Sequence, residues 1–360
     1  MEKKRKRRLV RRYYAERYLL ITIISFAFSV SITRFFLELT GYPQIGGSEL
    51  HIAHVLWGGV LLFIGGLFPL IFANKRAFDL SAFFSGVGVG LFIDEVGKFI
   101  SRSNDYFFPA AAPVIYVFFL LTLLVFLLVR RSRAKAGLRA TLYHVIEQFE
   151  EILEGDLSAL ERDRMLRSIQ QALHDEQDPA LTSLGNDLIA YLKNQEDRLV
   201  PHQPDFLEKI SNDYLNFEER IFCHRNFFKE LIIAWGIWGL IALIHPFLAL
   251  LSAQTKVDFS GIWGSLFISD LLLISPDISV SGIIRLVGEA LGGVLLILAA
   301  ILGFKGLKRP SIALAMLSLL QTTLVVNIFI FYFDQFSSLF YAFMQFGLLM
   351  VTIRYNQFKF

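Results

Sequence analysis

The stretches His51–Gly59 (HIAHVLWGG) and Gly86–Phe99 (GVGVGLFIDEVGKF) belong to two consecutive apolar segments, and both carry ionisable groups where lipid tolerates few. A charged side chain inside a bilayer costs a few kcal/mol or more unless it is paired or wet. His51, His54, Asp94 and Glu95 are therefore the first candidates for a functional site. The segments that hold them, about 51–73 and 77–100, are long enough as helices, at ~1.5 Å per residue, to cross ~30 Å of hydrocarbon. That reading decides the fold.

The rest of the chain repeats the pattern. Of its 360 residues 54% are hydrophobic and 36 are phenylalanine, more than a soluble core of this length needs. Further apolar runs lie at about 19–39, 111–129, 231–253, 283–304, 311–333 and 336–353. The first follows MEKKRKRRLVRRYYAERY, with nine basic residues and two acids, which reads as a positive-inside anchor rather than a nucleic-acid arm. It is too long for a signal-peptide core and has no small-residue cleavage site, so a retained first span is expected. Basic clusters then follow the second, fourth, sixth and eighth runs, which places both termini in the cytoplasm if all eight cross. The expected fold is all-α: a polytopic transmembrane bundle of about eight spans, four in each half, in a plasma or inner cell membrane.

Between the halves the composition changes. From about residue 136 to 227 charges are frequent, acids outnumber bases, and LYHVIEQFEEIL (142–153) shows helical periodicity. Ser158 to Glu161 forms a capping box, and Asp178-Pro179 supplies an N-cap followed by proline. The chain thus divides into 1–130, a membrane half; 131–228, a helical cytoplasmic domain; and 229–360, a second membrane half. The segment WGGVLLFIGGLF (57–68) echoes LGGVLLILAAIL (291–302), as parallel repeats would. The glycines at 86, 88 and 90 lie inside an apolar helix with no preceding strand, which favours close helix packing over a nucleotide loop.

Two histidines three apart share a helical face, and imidazole with carboxylate suits zinc, manganese or iron. His51, His54 and Asp94 form the candidate metal set, with Glu95 as a base; without metal the same groups can relay protons. Asp94 and Glu95 diverge by about 100° around a helix, so one of them pairs elsewhere, with Lys98 or Arg102 as competitors. A protease HExxH motif is excluded by the spacing. The second half offers His245 before Pro246, and Arg285 four residues before Glu289. Gln321 and Asn327 read as interhelical hydrogen-bonding residues. The sole cysteine, Cys223, excludes an internal disulfide and a thiolate cluster.

The features HIAHVLWGG, GVGVGLFIDEVGKF and NDYFFP (104–109) resemble a group of multi-pass bacterial membrane proteins of uncharacterised activity. The resemblance covers about a fifth of the chain. It implies that His51, His54, Asp94 and Glu95 belong to one feature, and it implies no activity. A fainter similarity to histidine/aspartate membrane hydrolases acting on lipid amides lacks their late paired-histidine motif.

Three readings stay open. The first is transport or permeation through a water-filled cavity between the halves. The second is a metal-dependent hydrolase of lipid or lipid-linked substrates, with zinc as the example of a divalent cofactor. The third is a sensor or scaffold signalling through the cytoplasmic helices. The expected partners are membrane lipids and a cytoplasmic protein or second copy binding through 136–227; the net charge of +3 gives no reason to expect nucleic acid.

Overall fold

The computed structural model describes residues 9–41, 53–131, 138–174, 178–202, 204, 206–224, 226–255 and 280–359. Among them the chain is helical, with short turns and one isolated parallel bridge between Ser158 and Val200. Seven helical stretches are long and apolar enough to cross a membrane: 15–40, 54–71, 75–94, 111–131, 227–251, 280–304 and 308–359. Their outward faces are lined by side chains such as Phe28, Phe63, Leu128, Leu240, Leu250 and Phe343, each about half exposed or more. Such a belt suits lipid and would aggregate in water. The protein is a multi-pass membrane protein. It divides into two compact units, residues 1–93 with 121–209 and residues 94–120 with 210–360.

In the first unit α1 (Ala15–Thr40), α2 (His54–Ile71) and α3 (Lys75–Asp94) pack through small residues. Glycines two apart on a helix point to nearly opposite faces, and α3 uses both. A Cβ on Gly86 would lie 2.5 Å from the Thr22 carbonyl oxygen, and one on Gly90 would lie 2.8 Å from Ser29 Cβ, so that face meets α1. On the other face a Cβ on Gly88 would lie 2.8 Å from the Gly58 oxygen of α2. Serine and threonine hydroxyls then reach across: Ser29 Oγ donates to Val87 O at 3.1 Å, Thr22 Oγ1 to Ala82 O at 3.2 Å and Ser81 Oγ to Gly65 O at 2.6 Å. In lipid, where apolar contact alone favours no partner, such close approach and interhelical hydrogen bonds hold the helices together. α1 ends at Gly41, whose φ of 69° lets its N–H cap Leu37 O.

The helices α6 (Leu138–Gln148), α7 (Glu150–Leu153), α8 (Ala159–Leu173) and α9 (Pro179–Lys193) enclose a core of Leu138, Leu142, Val145, Leu157, Met165, Ile169 and Leu192. Both caps expected from the sequence form. Ser158 and Glu161 bond reciprocally, and Asp178 accepts from the Ala180 N–H at 3.0 Å. Three acids of α6 and α7 tie this group to the ends of the apolar helices. Glu147 accepts from Tyr13 N at 2.8 Å and Arg12 Nη1 at 3.2 Å, Glu150 from Lys75 N at 2.8 Å, and Glu151 from the Tyr14 hydroxyl at 3.3 Å.

Burial raises the Glu151 carboxyl above its ordinary value of 4.5; Lys75 opposes the rise and Asp156 adds to it. A carboxyl raised on folding favours the folded state below its ordinary value, and that contribution is lost as pH climbs through the raised value. Glu151→Gln, whose amide oxygen can still accept from Tyr14, is therefore expected to be more stable than the native protein at pH 7. The gap should close as pH falls toward 4.5 in denaturant melts; a gap that does not change with pH would refute the burial argument.

The second unit contains α4 (Val96–Ile100), the start of α5 (Ala111–Arg131), nearly all of α10 (Phe206–Phe222), α11 (Phe227–Thr255) and α12 (Val280–Phe304). It continues with α13 (Lys308–Gln321), a π-helical turn at Thr322–Val326, α14 (Asn327–Asp334), a 3₁₀ turn at Gln335–Ser338 and α15 (Leu339–Lys359). Trp235, Leu296, Ala299, Ile312, Ala315, Leu319, Leu349 and Tyr355 form its core. Gly239 and Gly293 bring α11 and α12 together, each Cβ position about 3 Å from the other's carbonyl oxygen. The apolar stretch from 308 to 359 has 52 residues and would reach ~78 Å as a straight helix. It reverses instead at Gln335, whose φ is 48°, and Asn327 on one arm donates to Gln345 on the other at 2.8 Å.

Candidate functional site

The densest buried charge among the described residues lies in the second unit, where α11, α12 and the end of α14 meet. Arg285 and Glu289 stand one turn apart on α12, so their side chains share a face. Arg285 Nε donates to Glu289 Oε1 at 2.9 Å. Its two Nη groups fork onto Asp334, Nη1 to Oδ1 at 3.0 Å and Nη2 to Oδ2 at 2.6 Å. This bidentate geometry is the strong form of the guanidinium–carboxylate bond. On the other side Glu289 Oε2 lies 2.6 Å from His245 Nδ1 on α11, close enough for the two atoms to share a proton. Arg285 is 2% exposed, Glu289 5% and His245 8%, so water screens little of this charge.

Counting charges shows what the set requires. One guanidinium faces two carboxylates, so Arg285, Glu289 and Asp334 together carry one excess negative charge. The short His245–Glu289 contact joins an imidazole to that set. His245 Nε2 is buried with no hydrogen-bond partner among the described residues. An orphaned polar atom of this kind costs about 1–3 kcal/mol. His245 thus engages Glu289 through one ring nitrogen, and its other nitrogen has no partner among the described residues.

Below this cluster the same helices carry a polar seam. Gln321 Nε2 donates to Gly288 O at 3.4 Å and Ser318 Oγ to Gly292 O at 2.7 Å. Asn327 Nδ2 reaches both Gln345 Oε1 and the Tyr116 hydroxyl, which itself donates to Thr323 O at 2.7 Å. Gln321 and Asn327 thereby make the interhelical bonds expected of them. The π turn at 322–326 shifts the backbone register between them, a feature that often marks functional positions.

The first candidate set has partners of its own among the described residues. Asp94 and Glu95 are wholly buried. Asp94 accepts from the Tyr106 hydroxyl at 2.6 Å, and Glu95 pairs with Lys98 at 3.0 Å. Lys98 thus serves the nearer acid, three residues away, while the loop after α4 satisfies Asp94. A Cβ on Gly97 would lie 2.8 Å from Tyr106 O, so only glycine lets that loop close. His54 opens α2 and is partly exposed, and His51 lies outside the described residues. Among the described residues no three His, Cys, Asp or Glu side chains are grouped to hold a metal ion.

Sequence reasoning passed over Asp334 and Tyr106. Asp334 had a signal: it is the sole charged residue between Arg309 and Arg354. Tyr106 had one too, inside the NDYFFP segment. Comparison with protein-family models, curated proteins and solved structures finds no match.

Proposed function

We propose that this integral membrane protein is of the transport or permeation type, with a proton-handling centre formed by His245, Glu289, Arg285 and Asp334. The observation that supports the reading is the buried four-group network in which Arg285 faces both Glu289 and Asp334 and Glu289 meets His245. A purely structural ion pair needs no second carboxylate and no histidine whose other ring nitrogen is buried without a partner among the described residues. The test is proton flux in proteoliposomes loaded with a pH-sensitive dye under an imposed gradient. Native protein should discharge the gradient faster than protein-free vesicles, and Glu289→Gln, which removes the excess negative charge, should abolish the difference. A native rate equal to that of empty vesicles overturns the reading.

The same proposal takes 308–359 as two crossings, giving eight spans in a four-plus-four arrangement, with 131–228 and both termini in the cytoplasm. Its support is the reversal at Gln335 and the basic clusters after alternate runs. Cys223 is exposed and is the sole cysteine, so it reports the sidedness directly. In intact cells it should react with a membrane-permeant maleimide and resist an impermeant one; labelling by the impermeant reagent inverts the topology.

A second reading, a sensor, draws support from Glu147, Glu150 and Glu151, which join the helical group to the ends of α1 and α3. The hydrolase reading rests on His51, His54 and Asp94 as ligands and Glu95 as base. Stoichiometric zinc in the purified protein would put it first.

A further inference from the structure

Buried side-chain atoms with no hydrogen-bond partner among the described residues lie on Trp238, on Ser311 and in a further set of four. Besides His245 Nε2, that set includes Gln321 Oε1, Thr323 Oγ1 and Asn327 Oδ1, all on the continuous run from α13 to α14. Thr323 is 3% and Asn327 1% exposed, so both lie away from bulk solvent. Asn327 and Asp334 are seven residues apart and share a helical face, which carries the polar surface up to the Arg285–Glu289–His245 cluster. Gln321 bonds the carbonyl of Gly288, the residue next to Glu289. The seam then ends. Below Ser318 and Gly292 the same helices meet through Leu296, Ala299, Ile312 and Ala315, with Leu319 beside Ser318 at the top of that layer, each 1% exposed or less. No polar side chain enters that layer from α12 or α13 until Ser311, beside Gly303. From Gly292 to Gly303 the dry layer is ~16 Å long.

We infer that this seam is a water-binding half-channel: it holds a short file of waters on Thr323, Asn327, Gln321 and His245, and the Leu296–Leu319 layer seals its inner end. Water is the ligand that fits, because it both donates to the orphaned oxygens and accepts or donates at an imidazole nitrogen. A side-chain layer of this kind closes a pore by excluding water rather than by filling it with charge. The file gives the proton on the His245–Glu289 pair a route inward from Asp334, the partly exposed member of the cluster, to the middle of the bundle. The inference deepens the transport reading and rests on it for the movement of protons; the hydration is measured separately.

Two measurements in the full-length protein with Cys223→Ser test it. Thr323→Cys should react with a small water-soluble methanethiosulfonate at least about tenfold faster than Ala315→Cys in the sealing layer or Leu324→Cys on the lipid face, since thiolates form only where water reaches. Leu319→Asn should raise the passive proton leak of proteoliposomes by about tenfold, because an amide wets the seal. Thr323→Cys reacting no faster than Ala315→Cys overturns the half-channel. A reactive Thr323→Cys with an unchanged leak in Leu319→Asn, shown to be folded by its elution and melting profile, overturns the seal. Native vesicles that move no protons while Thr323→Cys reacts would remove the transport reading and leave the hydrated seam standing.

Discussion

Arg285→Met is expected to destabilise the second unit by about 3–5 kcal/mol, the cost of leaving buried carboxylates without their cation. Methionine fills much of the volume of the arginine stem, so packing is largely kept and the loss is electrostatic. Glu289 would retain His245, whereas Asp334 would lose both of its Nη donors. Denaturation of the detergent-purified protein, followed by tryptophan fluorescence, measures the effect. The combined variant Arg285→Met, Glu289→Gln, Asp334→Leu removes the charges together and should recover most of that stability, since a buried ion pair contributes little net free energy over a well-packed apolar replacement. It should recover no proton flux. Stability and flux returning together would mean that the network is only a structural staple.

Trp235→Ala is the second large effect, about 3–5 kcal/mol. Trp235 is fully buried in the core of the second unit, meets Phe228 edge-on, and donates from Nε1 to Thr352 Oγ1 at 3.1 Å. Between helices in lipid the apolar transfer term nearly vanishes, because acyl chains solvate a side chain as well as a neighbour does. What remains is the lost packing around the cavity and the lost indole hydrogen bond, Thr352 keeping its own bond to Leu348 O. Thr352→Val removes that bond with the indole in place, leaves the buried Trp235 N–H without an acceptor and should cost about 1–3 kcal/mol. Equal losses in the two variants would show that the hydrogen bond, not the packing, dominates.

The distribution of legible and illegible features follows from the range of the forces. Helix ends were readable because caps act within one turn: Ser158 with Glu161, and Asp178 with Pro179, formed as their spacing required. The membrane-crossing stretches were readable because hydrocarbon thickness imposes a length and a composition on each helix separately. The glycines of α3 announced close packing. That Gly86 and Gly90 meet α1 while Gly88 meets α2 followed from their alternation once the partners were in place.

The site divides along the same line. Arg285 and Glu289 were paired by sequence because four residues make one turn, and His245 could be named beside a proline. That His245 shares Glu289, and that Asp334 completes the fork, join residues 44 and 49 positions away from their partners; no local rule encodes such contacts. Asp94, which the sequence sets against the histidines or Lys98, accepts from the Tyr106 hydroxyl, because Gly97 allows the loop after α4 to fold back over it. The sequence by itself determined where the chain is apolar, which helix caps form at Ser158 and Asp178, and which ionisable groups must find partners. Only the tertiary structure decided which partners those are, because a buried charge is satisfied by whatever group packing brings within about 3 Å, at any distance along the chain.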